Sequence, residues 1–447
     1  MAMLFGTDGI RGQGAVPDPD DAAQGPRGGG ECARPWSSQK HLVLVTCAKG
    51  IPPCLKTELE AAGFPILGER VAGIETECTL EECMRLNLTL RTGQRVFLLL
   101  QSFEATHPDV MYRRVNAFPW EEWLAGDGYL SVHSAVSTPT IRDGRFANLR
   151  CKDAIVDRMR ERCGRRPDSG SAQDRFVVFL YWRDRQCRVY LDTSGEPLAR
   201  RTYRKNPWKA PMQETLAAAV VMATGWDRRL HFVNPMCGSG TLAIEAALMA
   251  LNRPPALRRT NFGFMHVAGF PGEKWDRLRR EAERASLRRP AGRIAASDVN
   301  PHAVGAARQN ARLAGVEEFI EFAVCDFAAT PLPPGGGVVV MNPEYGARLG
   351  QESELRTLYA RIGDFFKQNC QGRTGYVFTG NLDLAKTIGL RTSRRITFFN
   401  GEIECRLLQF NLYEGTRRKF GGDWSPCLSE CGSATTRMGE CTTESEG

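Results

Sequence analysis

The chain reads as an α/β protein in two parts: an α+β module over residues 40–195, then a doubly wound sheet beginning near residue 212. Three observations predict this. Short apolar runs of strand character alternate irregularly with helix-period segments in the first part. In the second part strand and helix alternate regularly, as a parallel sheet with crossover helices requires. The glycine turn NPMCGSGT joins the first strand and helix of that part, where free amides and close backbone approach can hold a nucleotide-like ligand. At about 150 residues per domain, 447 residues suffice for two or three cores.

The elements follow in order. HLVLVTC from His41 is a compact strand, and 52–62 is a helix that opens on proline and sets Leu55 and Leu59 one turn apart. Helices are predicted over 79–88, 117–125 and 148–163, and strands over 95–101 and 129–135. Strands FVVFLYW and QCRVYLD follow, with 183–185 as their turn. Next come a helix over 213–224, a strand over 231–234 and a helix over 242–251. Strands RIAASDV, FIEFAVCD and GVVVMNP continue the sheet, with helices over 302–313 and 352–370. The run RRITFFNGEIECRLLQFNLY carries Asn400-Gly401 between alternating segments, a type I′ hairpin signal. Residues 1–38 are expected to be a flexible lead and 416–447 a disordered tail, since both are poor in apolar residues and rich in small or polar ones.

Composition narrows the function classes. Hydrophobic content of 42% with 25% charged residues is that of a soluble globular protein, and no apolar run approaches the about 20 residues that span a bilayer. The start lacks the basic and apolar regions of a secretory signal, so a cytoplasmic location and no membrane partner are expected. Fifteen cysteines, an odd number without a Cys-x-x-Cys pair, argue against a disulfide scaffold or a zinc ribbon. Cys427, Cys431 and Cys441 match no zinc spacing, and no metal is expected. A formal charge of +8 is modest, but its distribution is informative. Arg200, Arg201, Arg204, Lys205 and Lys209 stand in one stretch without an intervening acid, interleaved with Tyr203 and Trp208. Cations for phosphates and aromatic faces for bases suit RNA; a solvated linker is the alternative.

The chemistry concentrates at strand ends. In the turn, Pro235, Cys237, Gly238, Ser239, Gly240 and Thr241 form a candidate cofactor loop, although neither the P-loop lysine nor the full three-glycine dinucleotide pattern is present. Asp298 ends the second strand, where a carboxylate can accept two ribose hydroxyls; a helix N-cap is its other reading. Asp326 ends the third and can accept an adenine amino group, or serve as a solvent-facing turn acid. Asn342, Pro343, Glu344 and Tyr345 end the fourth. An exocyclic purine amine is a poor nucleophile because its lone pair is delocalised into the ring. Two acceptors, the Asn342 amide oxygen and the Pro343 carbonyl, can localise that pair and aim the nitrogen for in-line displacement. Tyr345 is expected to stack on a flipped base. No metal and no covalent nucleophile is needed; the other reading is a plain Asn-Pro turn.

NPMCGSGT, SDVNP and NPEYG in this order resemble the amino-methylating class I methyltransferases. LRTGQRVFLLL, KDAIVDRMRERCGRRP, LDTSGEPLARRTYR and APMQETLAAAVV further resemble the THUMP-domain 23S rRNA guanine-N2 methyltransferases, over about residues 40–415. The resemblance implies a ferredoxin-like part at 39–80, a THUMP-like RNA-binding part at 81–195 and a Rossmann-like class I methyltransferase domain at 196–415 with an antiparallel final strand. It also implies S-adenosyl-L-methionine at the 235–241 loop, Asp298 and Asp326, the amine at 342–345, and large-subunit ribosomal RNA as partner. Asn234 stands where the family has aspartate, which shifts methionine-moiety binding toward backbone amides. Glu344 replaces the family's second proline and could accept guanine N1–H. Some relatives carry a second methyltransferase half; this chain ends before one, so a single modification is expected.

Three rivals are weighed. LFGTDGIRG near the start resembles phosphoglucosamine mutase, but no serine phosphorylation loop or Asp-x-Asp-x-Asp metal cluster follows. The same acceptor pair serves other planar amines, in tRNA guanine, adenine N6 or protein glutamine. A catalytically silent RNA-binding relative is the third.

Overall fold

The computed structural model describes residues 35–141, 143–206, 212–345 and 352–413. The first part comprises β1 (His41–Thr46), α1 (Pro52–Ala61), β2 (Gly68–Arg70), β3 (Gly73–Cys78), α2 (Leu80–Thr89) and β4 (Arg95–Glu104). It continues through α3 (Pro108–Asn116), β5 (Tyr129–Ser137), α4 (Gly144–Cys163), β6 (Asp168–Ser169), β7 (Phe176–Arg183) and β8 (Gln186–Asp192). These strands form one sheet in the order β2-β3-β1-β4-β8-β7-β5-β6. β4 is its seam, antiparallel to β1 on one side and to β8 on the other. Local chemistry starts the helices: proline opens α1, a Thr79–Glu82 capping box opens α2, and the Asp143 side chain caps α4.

The second part contains α5 (Glu214–Ala223), β9 (His231–Pro235), α6 (Thr241–Ala250), α7 (Gly272–Arg284), β10 (Ile294–Asp298), α8 (Pro301–Ala314) and β11 (Ile320–Val324). After these come β12 (Gly337–Met341), α9 (Glu352–Asn369), β13 (Arg373–Thr379), α10 (Leu382–Lys386), β14 (Arg394–Asn400) and β15 (Ile403–Leu412). The sheet order is β11-β10-β9-β12-β13-β15-β14. β9 to β13 are mutually parallel, whereas β15 runs antiparallel to β13 and to β14. β9, β10 and β12 lie in the middle, buried on both faces, which is why they read as continuous apolar runs. Alanine-rich α5 and α6 are buried almost all round, because small side chains let each pack closely on its neighbours.

Several sequence expectations are corrected. No α-helix occupies 117–125: Pro119 lacks an N–H and disfavours helical backbone at Phe118, leaving one 3₁₀ turn at Trp120–Glu122 that buries Trp120. The helix lies earlier, as α3, capped by His107 with Pro108 in its first turn. α4 begins at Gly144 rather than 148 because Asp143 supplies the cap. In the last hairpin Asn400 pairs with Ile403, so Gly401 and Glu402 form the turn. Gly401 alone of these two has positive φ, +65°, the pattern of type II′ rather than I′. α7 escaped detection because Trp275 is its one buried residue amid charge. Trp36, inside the expected flexible lead, is half-buried against Phe270 and donates its indole N–H to the Ala268 carbonyl at 2.9 Å. Residues 1–34, which include the mutase-like opening, and the 416–447 tail lie outside the described residues.

Candidate active site

β9 is followed by β10 and β11 on one side and by β12 and β13 on the other, which places the switch point between β9 and β12. Connections that leave in opposite directions open a crevice at the strands' carboxyl ends. A cavity of about 430 Å³ fills it, within the range of about 300–1,000 Å³ usual for small-molecule sites. Its walls include Cys237, Gly238, Ser239 and Thr241 after β9, Asp298 of β10, Asp326 beyond β11, and Asn342 and Pro343 beyond β12. Pro235 and Gly240 do not line it; they shape the loop from behind. Gly240 has φ +82°, and a Cβ there would meet the Ala307 Cβ at 2.8 Å, so glycine lets α6 start this close to α8. Met236, with φ +57°, holds a left-handed conformation that costs a non-glycine residue about 1–3 kcal/mol, strain of the kind concentrated at ligand sites.

Asp298 knits two loops. One carboxylate oxygen accepts the Gly238 amide at 3.0 Å and the other the Asn300 amide at 3.0 Å, and each keeps a further lone pair. The N-cap of α8 is Asn300, not Asp298. Asp326 accepts the Ala328 amide at 2.9 Å and an Arg361 N–H at 2.8 Å through Oδ1. Partial burial opposes its ionisation, but the amide and the guanidinium outweigh burial and hold the carboxyl below the ordinary value of 3.8. The Cys237 thiol is pushed up by burial and then by Asp298, so it is no nucleophile. Asn310 of α8 donates to the Ser239 carbonyl at 3.1 Å and steadies the loop. Asn234 donates its amide N–H to the Val340 carbonyl at 2.8 Å, cross-linking β9 to β12 in a way a carboxylate cannot.

Asn342 is half-buried on the cavity wall, and its Oδ1 is buried with no hydrogen-bond partner among the described residues. The backbone beside it is held: the Tyr359 hydroxyl donates to the Glu344 carbonyl at 3.4 Å and bonds Thr379 Oγ1 at 2.8 Å. The Glu344 side chain is exposed at the mouth. Tyr345 is the exception to the expected cluster. Its ring packs edge-on against Phe378 and over Gly380, and its oxygen accepts from Asn400 Nδ2 at 3.0 Å. Burial pushes its phenol up to about 12. In this conformation Tyr345 anchors the loop to the final hairpin and does not line the cavity.

The basic stretch is corrected more strongly. Arg201 is buried and ion-paired with Glu245 of α6, and it also donates to the Arg91 carbonyl. Tyr203, also buried, donates to the same carboxylate at 2.7 Å. Arg204 pairs with Glu214 at 3.0 Å, and exposed Arg200 with Glu196 at 3.1 Å. The acids opposing these arginines lie outside the stretch, so a local reading missed them. Of the four expected RNA contacts, Lys205 is exposed and has no acidic partner among the described residues. Trp208 and Lys209 lie outside them. The roles of Asn310, Glu245 and Arg361 carried no local signal, because each acts on a segment distant in sequence.

Comparison with known proteins assigns the class. Residues 201–409 match the RMKL-like methyltransferase domain, 43–97 the RlmL ferredoxin-like domain and 105–192 the THUMP domain. The chain thus carries ferredoxin-like and THUMP domains followed by a Rossmann-like methyltransferase domain of the S-adenosylmethionine-dependent class. It is similar to the ribosomal RNA large subunit methyltransferase K/L of Syntrophotalea carbinolica, 40% identical over 85% of this chain and 54% of that protein. Similarity to the Pseudomonas paraeruginosa protein of the same name is 36%, over 83% and 53%. The chain thus spans about half the length of these relatives. Among solved structures, one described as a putative methyltransferase complexed with SAH superposes with a TM-score of 0.77 at 26% identity, covering 85% of this chain and 100% of that one. One from Listeria monocytogenes, described as a predicted N6-adenine-specific DNA methylase, gives 0.76 at 29%, covering 84% and 97%. Among the described residues no helix is long and apolar enough to cross a membrane, and no group of three metal-ligating side chains gathers.

Proposed function

We propose that this chain methylates an exocyclic base amine of large-subunit ribosomal RNA, with guanine N2 as the acceptor. The observation that carries the reading is the Asn342 amide oxygen, buried on the cavity wall without a donor among the described residues. Leaving such an acceptor unpaired costs about 1–3 kcal/mol, which a donor on the ligand offsets. An amine with one N–H on Asn342 Oδ1 and the other on the Pro343 carbonyl has its lone pair localised and pointed into the cavity. S-adenosylmethionine, when bound, supplies the electrophilic methyl group. The chain's part is to bind and orient. Asp298 accepts ribose hydroxyls through its remaining lone pairs, Asp326 accepts the adenine amine, and the loop amides and the start of α6 face the methionine end. Tyr345 and Tyr359 hold the acceptor loop in register, a positioning effect.

The THUMP match and the names of the relatives support ribosomal RNA as substrate. The description of the Listeria structure favours a second reading, adenine N6, which the same acceptor pair serves. One experiment separates them: methyl transfer from labelled S-adenosylmethionine into protein-free large-subunit rRNA, followed by nucleoside analysis, for wild type and Asn342→Ala. N2-methylguanosine that falls about 10²- to 10³-fold in the variant, with cofactor affinity kept, is the expected result. Label in N6-methyladenosine selects the second reading, and no label in RNA despite cofactor binding refutes both.

A further inference from the structure

A second cleft lies at the opposite edge of the catalytic sheet. α6 and α8 run away from the cofactor cavity, and beyond their far ends a cavity of about 820 Å³ opens against α7. The ten residues of α6 set it about 15 Å from the switch point at 1.5 Å per residue. Arg253, Arg258, Arg279, Arg280 and Arg288 line it, against three carboxylates, Asp276, Glu283 and Glu318.

None of these five arginines is ion-paired with an acid among the described residues, although neighbouring Lys274, Arg293 and Arg312 pair with Glu81, Glu321 and Glu317. Two are fixed to backbone: Arg253 donates to the Gly315 carbonyl at 2.5 Å and Arg279 to the Leu257 carbonyl at 3.1 Å. Arg279 Nε is buried without a partner among the described residues. Burial, and then neighbouring Arg258, hold the Arg253 guanidinium below its ordinary value, and the nearby Glu318 and Glu283 carboxylates offset this only in part. Helix C-termini attract cations, which accounts for Arg253. It does not account for exposed Arg258, Arg280 and Arg288, which line the same cleft with no hydrogen-bonded carbonyl and no ion-paired carboxylate among the described residues. Guanidinium groups grip phosphate bidentately, and a cleft open to solvent admits a polyanion.

We infer that this cleft is a second RNA site, taking the phosphodiester backbone of the substrate at a distance from the methylated nucleotide. The inference rests on the proposed action on RNA. Its floor is tied to the first module, since Arg91 donates to the Arg253 carbonyl at 3.1 Å and the Ala256 amide to the Leu88 carbonyl at 3.4 Å. RNA held here is therefore registered against both parts of the chain.

The test uses the full chain and protein-free large-subunit rRNA, comparing wild type with Arg258→Gln/Arg280→Gln/Arg288→Gln. Each duplex phosphate contact contributes about 0.9 to the slope of log affinity against log salt, so the triple variant should lose about 2.7, or about 2.1 if the contacted RNA is single-stranded. The KM for RNA should rise with kcat at saturating RNA unchanged, and cofactor affinity and melting temperature should hold. If the triple variant melts early, exposed Arg280→Gln alone should still lower the slope by about 0.7 to 0.9. A variant that keeps the wild-type slope and KM overturns the cleft while leaving the catalytic reading intact. Wild type that neither binds nor methylates RNA overturns the catalytic reading, and the cleft with it.

Discussion

Arg201→Met distinguishes a structural arginine from an RNA ligand. Arg201 and Glu245 have side-chain exposures of 1% and 0%, and the guanidinium also caps the Arg91 carbonyl. The substitution leaves Glu245 with the Tyr203 hydroxyl and no ion-paired cation among the described residues. Removing one partner of a buried pair costs about 3–5 kcal/mol, because the remaining charge stays desolvated. For a domain of about 150–250 residues each kcal/mol moves the melting temperature by about 2–4 °C, so a fall of about 6–20 °C is expected. Circular dichroism melting of wild type, the single variant and Arg201→Met/Glu245→Leu measures it. The double variant should recover most of the loss, since an apolar pair of similar volume replaces a buried ion pair at little penalty. Unchanged melting in Arg201→Met, together with a fall in RNA affinity, would falsify the buried-network assignment and return Arg201 to the RNA surface.

Asp298→Ala removes charge-assisted hydrogen bonds worth about 1.5–3 kcal/mol each, so calorimetry should show cofactor affinity weakened by at least about tenfold; a Kd within twofold of wild type removes Asp298 from the contact. Glu344→Gln should narrow the preference for guanine over adenine, because an amide no longer favours the N1–H donor so strongly; an unchanged ratio of the two methylated nucleosides sinks that role. Asp326 is held below 3.8, so whatever its ionised form contributes is present above that value and is lost only as pH falls through the lower folded value. A carbon NMR titration should place its midpoint below 3.8 in wild type and higher in Arg361→Met; the pair is about half exposed, so the stability effect is small.

The glycine loop, the two strand-end acids and the Asn-Pro turn are legible in the sequence, because strand-to-helix turns and polar residues at strand ends are local patterns. So was the alternation of elements, wherever apolar periodicity was strong. α7 was hidden by its charge, and the helix expected at 117–125 failed because Pro119 interrupts an otherwise persuasive apolar spacing. Tyr345 shares its motif with Asn342 yet turns into the hairpin, a choice made by Asn400, Gly380 and Phe378 from other elements.

Electrostatics divides the two levels most sharply. The sequence by itself determined where the cations are and which residue types stand at the strand ends, since these are properties of neighbours along the chain. Only the tertiary structure decided which cations are neutralised. Arg201 meets an acid 44 residues away and is withdrawn from solvent, while exposed Arg258, Arg280 and Arg288 line one cleft with no ion-paired acid among the described residues. The physical reason is that ion pairing falls off within a few ångströms, and over that distance separation along the chain carries no information.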